Sequence, residues 1–86
     1  MILAWTPKAW AHYLYWQEND PKLLTRINSL LAECLRTPFE GRGKPERLLG
    51  NLRGHVSRRI NEEHRLVYRV QSEMLLIVQC RFHYGE

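Results

Sequence analysis

The sequence has few cysteines and no long apolar run, and each absence argues against a class of protein. Cys34 and Cys80 are its two cysteines, and they are too far apart to form a C-x-x-C pair. This usage is typical of reduced core thiols in a cytoplasmic protein rather than of a disulfide-stapled secreted domain. No apolar run approaches the ~20 residues of a membrane helix. No charged start leads into the apolar segment of an export signal. We therefore expect a soluble protein that does not contact a membrane.

Metal-ligand spacings are also missing from the sequence. His12, His55 and His64 have no ligand-spaced partner, and no H-x-x-x-H pair occurs. A protein zinc site takes three or four side-chain ligands, which such isolated histidines do not supply. We therefore expect neither a metal site nor a cofactor.

Arginine is the charged residue that the sequence has in abundance. Ten arginines stand against three lysines, and the net charge is +4. The charges of residues 1–35 cancel, whereas residues 36–69 hold nine basic and four acidic side chains. Arginine makes bidentate contacts to phosphate and stacks on bases, so the excess favours an anionic partner such as RNA. Surface arginines that only keep the domain soluble are the alternative.

The chain is long enough for one small domain, residues 1–86, and its pattern predicts an α+β fold of order β-α-α-β-β-β. Residues 1–5 form an apolar run that indicates a first strand. Thr6-Pro7 and Asp20-Pro21 each combine a capping side chain with a proline, which is typical of a helix start. The two helices should form a hairpin on one face of the sheet. Residues 39–50 indicate an ordered loop, and three β-branched and aromatic runs predict an antiparallel meander: 55–60, 64–70 and 74–82.

Strand alternation predicts which side chains share each face of that sheet. Turns of three residues would place Arg59 opposite Arg65, and Arg65 opposite Gln79. Arg81 and His83 would then extend the same polar face. The core face would collect Ile60, Leu66, Tyr68, Val70, Leu76, Val78, Cys80 and Phe82. Arg58 falls on this apolar side and does not fit the pattern unless it lies at the sheet margin.

Four segments carry a resemblance to a known family. They read H-Y-L-Y-W-Q-E at 12–18, T-P-F-E-G-R-G-K-P-E-R-L at 37–48, S-R-R-I-N-E-E-H-R-L-V-Y at 57–68 and R-F-H-Y at 81–84. Over nearly its whole length the chain resembles the YoeB-type toxins of the RelE/ParE superfamily, which are ribosome-dependent mRNA endonucleases of toxin–antitoxin systems. The resemblance implies a RelE-like fold.

The resemblance also implies a set of partners. They are the ribosome, its mRNA and a YefM-like antitoxin whose acidic, disordered C-terminal segment folds onto the toxin. Operator DNA would be bound only within the antitoxin complex. A homodimer and a monomer both remain open.

The same residues suit the cleavage of RNA without a metal ion. The 2′-hydroxyl attacks the adjacent phosphate, which needs a base, cations and an acid. Glu46, flanked by Lys44 and Arg47, is the predicted base; a solvated loop glutamate is the alternative, and the match to K-P-E-x-L favours the base. His83 is the predicted acid, since histidine ordinarily titrates near neutrality. The reverse assignment of these two roles remains open.

Arg65 completes the predicted catalytic set by clamping the scissile phosphate. Its structural alternative is an ion pair with Glu62 or Glu63. The further residues predicted to bind RNA or phosphate are Lys44, Arg59, Arg81 and Tyr84. The tyrosine would stack on a base or hold the phosphate through its hydroxyl, and a frayed terminal residue is its alternative.

Two other functions compete with an endoribonuclease. A non-catalytic basic module could bind RNA or DNA through the same arginines, but it would gain nothing from Glu46, which repels phosphate. A structural subunit that assembles through its aromatic helix does not account for the arginines. The sequence therefore predicts an endoribonuclease toxin.

Overall fold

A five-stranded mixed sheet forms the centre of the computed structural model, which describes residues 1–83. The strands are β1 (Ile2–Trp5), β2 (Glu46–Arg47), β3 (Val56–Arg59), β4 (Arg65–Gln71) and β5 (Met74–Gln79). Their order is β1-β5-β4-β3-β2, with β1 parallel to β5 and every other pair antiparallel. The predicted α+β fold is confirmed. The short edge strand β2 is an addition, because it lies inside the segment predicted to be a loop.

Two helices, α1 (Pro7–Asn19) and α2 (Pro21–Arg36), pack on one face of the sheet. The Thr6 hydroxyl accepts a hydrogen bond from the Ala9 N–H at 3.1 Å. The Asp20 carboxylate accepts one from the Leu23 N–H, also at 3.1 Å. In both cases a proline occupies the first turn, where its missing N–H has no intrahelical partner to lose. The predicted helix starts are therefore confirmed.

One side of α1 packs into the core. Ala9, His12 and Trp16 are buried on it, whereas Trp10 and Leu14 are exposed. Trp16 also donates a hydrogen bond from its indole Nε1 to the carbonyl oxygen of Cys80 at 2.7 Å. Burial therefore follows the side of α1 that reaches the end of β5. The core consists of Ala9, Trp16, Ile27, Leu30, Leu31, Cys34, Val56, Ile60, Leu66, Tyr68, Leu75, Ile77 and Cys80.

The predicted pairing of β4 with β5 is wrong by one residue. The connecting turn has two residues rather than three, so Gln71 pairs with Met74. Side chains alternate along a strand, and this shift therefore exchanges the two faces of β5. Leu75 and Ile77 are fully buried in the core, whereas Leu76 and Val78, which were predicted there, are only half-buried.

A second irregularity restores the predicted face for the end of β5. The register shifts between Val67 and Tyr68, so that Gln79 pairs with Val67 instead of Arg65. Gln79 therefore still lies on the same face as Arg65, and Cys80 lies in the core as predicted. The strand ends at Gln79. Phe82, predicted to be a core residue of this strand, lies beyond it and is 39% exposed.

Both cysteines are buried free thiols, in agreement with the prediction of two core thiols. Burial raises the pKa of Cys34, and it raises the pKa of Cys80 to about 12. Both sulfurs therefore stay protonated at neutral pH. Within residues 1–83, neither helix is both long and apolar enough to cross a membrane.

Candidate active site

A recess of about 80 Å³ opens on the face of the sheet that the helices leave uncovered. It is far smaller than the roughly 300–1,000 Å³ pockets that enclose drug-sized ligands, and it suits a small anion such as a phosphate group. Its lining residues are Lys44, Glu46, Ser57, Arg59, Arg65 and His83. The structure thus brings together the three residues predicted to be catalytic and two of the four predicted to bind RNA.

Cross-strand pairing delivers most of these side chains. Arg59 of β3 pairs with Arg65 of β4, as predicted. Glu46 of β2 pairs with Ser57 of β3, which was not predicted. Ser57 and Arg59 are two residues apart, so they lie on the same face of the sheet. Four recess residues therefore come from adjacent positions on three neighbouring strands. Ser57 is the one lining residue that sequence reasoning missed, although its parity with Arg59 could have indicated it.

The glycine-rich loop is fixed to β3 at Gly43, which places Lys44 beside the recess. The Arg59 N–H donates a hydrogen bond to the Gly43 carbonyl oxygen at 2.6 Å. Gly43 has a φ of +81°, and a Cβ at this position would lie 3.0 Å from the Arg59 carbonyl oxygen. Only glycine adopts this conformation at so close an approach without strain.

Arg65 is held by the turn that precedes it rather than by a carboxylate. It is only 8% exposed. Its Nη1 lies within hydrogen-bond distance of three carbonyl oxygens, those of Asn61 at 2.9 Å, Glu62 at 3.2 Å and His64 at 3.2 Å. No ion pair of Arg65 with Glu62 or Glu63 occurs in the part of the chain that the structure describes. The turn therefore fixes one nitrogen and leaves Nε and Nη2 without a partner among residues 1–83.

Lys44, Glu46 and Arg59 are the least constrained charges of the recess. All three are exposed, and none of their side chains forms a hydrogen bond or ion pair with another described residue. Lys44, Arg59 and Arg65 supply three positive charges around the single carboxylate. The recess therefore carries net positive charge and has donors available for an anion.

Two predicted RNA-binding residues are not seen in the recess. Arg81 lies against α1, with its guanidinium carbon 3.6 Å from the centroid of the Tyr15 ring and 4.5 Å from that of Phe82. Strand alternation no longer applies there because β5 ends at Gln79. The predicted location of Arg81 on the face of Arg59 is thus wrong. Tyr84 lies outside the described residues.

Arg58, which did not fit the predicted pattern, is fully buried at the centre of a polar cluster. Its guanidinium donates five hydrogen bonds, one to the Tyr68 hydroxyl at 2.9 Å and one to the Glu33 carboxylate at 2.9 Å. The other three go to the carbonyl oxygens of Thr37, Glu40 and Arg42. We call this group of six residues the Arg58 cluster. Its signal in the sequence is a charged residue on an apolar strand face.

The Arg58 cluster also fixes the start of the glycine-rich loop to α2. The backbone N–H of Arg42 donates to the Glu33 carboxylate, and its guanidinium Nε forms an ion pair with the same group at 3.0 Å. The backbone bond from Arg42, followed by its side chain, lowers the pKa of Glu33. Burial raises the pKa of Tyr68, whose hydroxyl donates to the Pro38 carbonyl. Glu33 is thus ionised and Tyr68 protonated at neutral pH, which satisfies all the donors of Arg58.

The described residues contain no cluster of metal ligands. Among residues 1–83, no three His, Cys, Asp or Glu side chains are placed to hold one ion.

Comparisons with known proteins identify a family for this chain. The family described as the YoeB-like toxin of bacterial type II toxin–antitoxin systems matches residues 5–84. Toxin YoeB of Escherichia coli K12 is 56% identical over 84 residues, which are 98% of this chain and 100% of that protein. A solved YoeB/ParE toxin from Agrobacterium tumefaciens is 49% identical, with a TM-score of 0.95 over 98% of this chain and 100% of that chain.

A third relative has been solved in two assemblies. Staphylococcus aureus YoeB is 46% identical, and the alignment covers 98% of each chain. It was solved as a dimer, with a TM-score of 0.90, and in a heterotetrameric YoeB–YefM complex, with a TM-score of 0.89.

Proposed function

Because the chain belongs to the family of YoeB-like toxins of bacterial type II toxin–antitoxin systems, we propose that it is a ribosome-dependent endoribonuclease that cleaves mRNA and inhibits translation. The observation that carries this proposal is the recess. It joins one carboxylate, three cations and one histidine from four separate parts of the chain. These are the groups that cleavage by a neighbouring hydroxyl requires.

In the proposed reaction the Glu46 carboxylate takes the proton of a 2′-hydroxyl. The freed oxygen bonds to the adjacent phosphorus, and the bond from phosphorus to the 5′-oxygen breaks. His83 in its protonated form gives a proton to that leaving oxygen. The products are a 2′,3′-cyclic phosphate and a 5′-hydroxyl. Exchange of the two roles between Glu46 and His83 gives the same products.

In this scheme the cations of the recess stabilise the transition state. Negative charge grows on the non-bridging oxygens of the phosphate as the new bond forms. Lys44, Arg59 and Arg65 stand around that position, and the turn carbonyls already hold Arg65 in place. A donor that needs no rearrangement during the reaction stabilises the transition state most effectively.

A basic module that binds nucleic acid without cleaving it is the second candidate. The same arginines favour it, since they offer open donors to phosphate. Glu46 argues against it. A carboxylate within the recess weakens phosphate binding, and it benefits the protein only if it takes part in chemistry.

The proposed partners follow from the family and from the charge of the recess. We propose a YefM-like antitoxin with an acidic segment whose carboxylates pair with Arg59 and Arg65; the heterotetrameric Staphylococcus complex supports such a partner. The Staphylococcus dimer supports a homodimer of this chain. Operator DNA would be bound only within the antitoxin complex, and the toxin would act in the cytoplasm.

The test is cleavage of mRNA on translating ribosomes, with the chemistry of both product ends determined. The wild-type protein should give 3′ ends that carry a cyclic or simple phosphate, and 5′ ends that carry a free hydroxyl. Glu46→Gln should remove the activity. Glu73→Gln should not, because Glu73 is exposed on the β4–β5 turn and does not line the recess. Products with 5′-phosphates would refute the mechanism, and binding to ribosomes without cleavage would favour the basic module.

A further inference from the structure

The segment that carries His83, residues 80–83, lies beyond the last strand and is nevertheless fixed to the sheet. Gln79, the residue before it, is only 4% exposed. Its Nε2 lies within hydrogen-bond distance of three successive carbonyl oxygens, those of Arg81 at 2.8 Å, Phe82 at 3.3 Å and His83 at 2.6 Å. Three converging carbonyls require a donor, so the chemistry of the site settles which end of the amide faces them.

The backbone conformation of Phe82 allows the three carbonyl oxygens to approach the Gln79 Nε2. Phe82 has a φ of +66°, in the left-handed region that a bulky L-residue rarely adopts. Its N–H donates to Nδ1 of the buried His64 at 2.7 Å, and its carbonyl oxygen accepts from the Arg65 N–H at 2.9 Å. A strained residue persists only where the surrounding contacts determine it. Here the contacts come from Gln79, from His64 and from the backbone of a recess residue.

We propose that Gln79 is a positioning residue, which acts through the carbonyls of residues 81–83 to set the place of His83 in the recess. The role in cleavage rests on the proposed function, whereas the placement of His83 does not. An amide suits this task because its NH2 group offers two N–H donors and adds no charge beside Arg65. The register shift in β4–β5 is what brings Gln79 to this face.

The first experiment tests placement and needs no RNA. Gln79→Met keeps the volume of the side chain and removes both donors; Gln71→Met makes the same change at an exposed site at the end of β4. Backbone amide exchange at residues 82 and 83, together with the His83 ring resonances, is recorded by NMR for the free protein. We expect Gln79→Met to speed exchange about tenfold or more and to shift the His83 resonances. Identical exchange and resonances in Gln79→Met and wild type would overturn the proposal.

The second experiment tests whether placement matters for the reaction. In single-turnover cleavage on ribosomes, Gln79→Met should lower the saturated rate about tenfold or more and leave the half-saturating concentration unchanged, as misplacement of a reacting group predicts. On a His83→Ala background the same substitution should cause no further loss, because Gln79 acts through His83. Full additivity of the two losses would overturn the positioning role.

Gln79→Asn provides the conservative rescue and a safeguard against misfolding. Its amide keeps the donors one methylene short, so the rate and the exchange should fall between those of wild type and Gln79→Met. If Gln79→Met does not fold, the same comparisons are made with Gln79→Asn alone, and wild-type behaviour would then overturn the proposal. A wild-type protein that cuts no RNA refutes the proposed function, while the NMR comparison still decides the placement of His83.

Discussion

Arg58 and Arg59 are adjacent in β3 and face opposite sides of the sheet. Arg58 is fully buried, and its five hydrogen bonds use every donor of its guanidinium. Arg59 is exposed, and its side chain makes no hydrogen bond with any of residues 1–83. The same chemical group therefore stabilises the fold when its donors are all used, and it can bind phosphate when they are open.

Because of this difference, the net charge of a segment is not the charge that the segment presents to a partner. Residues 36–69 carry a basic excess that favours an anionic partner, but part of that excess is compensated inside the protein. Arg58 and Arg42 both pair with the Glu33 carboxylate. Within the recess, Lys44, Arg59 and Arg65 outnumber the single Glu46.

The largest expected effect is the loss of stability on removing Arg58. Arg58→Met keeps the bulk of the side chain but removes a donor from three carbonyl oxygens, from the Tyr68 hydroxyl and from the partly buried Glu33 carboxylate, which keeps only its bonds from Arg42. Removal of one partner from a buried charged pair costs about 3–5 kcal/mol of unfolding free energy. Denaturant unfolding measures it, with Arg59→Met as the matched control, expected within about 0.5 kcal/mol of wild type because its site is exposed. Equal stability of the two variants would refute the difference drawn between these arginines.

The second prediction concerns the cleavage rate, for which Arg59 should matter more than Arg58. Arg59→Met should lower the rate of mRNA cleavage about 100-fold, the usual loss for one charge-stabilising donor, which corresponds to about 2.7 kcal/mol. Glu46→Ala, Arg65→Ala and His83→Ala should each lose activity on the same scale. Single-turnover cleavage on ribosomes provides the measurement. Near wild-type rates in all four variants would mean that the recess is not the active site.

The third prediction concerns Gly43, where the loop meets both arginines. A Cβ at this position would lie 3.0 Å from the Arg59 carbonyl oxygen and 3.2 Å from the Arg58 Cβ. Gly43→Ala should therefore cost about 1–3 kcal/mol of stability and reduce cleavage, since Lys44 and Glu46 follow directly. Gly54 also has a positive φ, +92°, but no atom within 4 Å of a Cβ. Gly54→Ala should thus keep its activity, and equal activity losses would show that the contact with β3 does not hold the recess.

The smallest expected effect is a pH dependence of the free energy of unfolding, which arises from the neutral ring of His12. Its Nδ1 accepts a hydrogen bond from the Cys80 N–H at 3.2 Å. Burial, followed by the charges of Lys8, Arg81 and His64, lowers the pKa of His12 below 6.5. The unfolded chain therefore binds this proton more readily, so stability is full above pH 6.5 and decreases as the pH falls below it.

Thermal unfolding between pH 5 and 7.5 tests this dependence. His12→Asn keeps an acceptor for the Cys80 N–H but does not titrate, so its melting temperature should vary less over that range. His55→Asn provides the control at a half-buried histidine directly before β3. A slope that His12→Asn leaves unchanged would exclude His12 as its source.

Local signals in the sequence were sufficient for the helices and for part of the recess. A capping residue and a proline define each helix start within four residues. The polar turn between β3 and β4 gave the pairing of Arg59 with Arg65 correctly. Glu46, Arg65 and His83 lie together as the family resemblance required, although their roles stay predictions.

Long-range choices could not be read from the sequence. Gln71, Ser72 and Glu73 are all polar, and nothing local tells a turn of two residues from one of three. A shift of register by one residue hardly changes which residue types face the core, yet it places Leu75 in the core instead of Leu76. The partners of Arg58 were equally invisible, because its ion pair joins residues 25 positions apart.

The order of the strands in the sheet determines when a newly synthesised chain can complete its fold. Among the strands of residues 1–83, β5 is synthesised after all the others and lies between β1, the earliest of them, and β4. The hydrogen bond between Trp16 and Cys80 likewise joins residues 64 positions apart. Until β5 emerges, β1 has no neighbour, and the helix hairpin exposes its apolar side, a condition that invites chaperones or aggregation. Pairing over such separations closes slowly. A nascent chain therefore lacks both the complete sheet and the histidine of its recess until β5 and residues 80–83 have been synthesised.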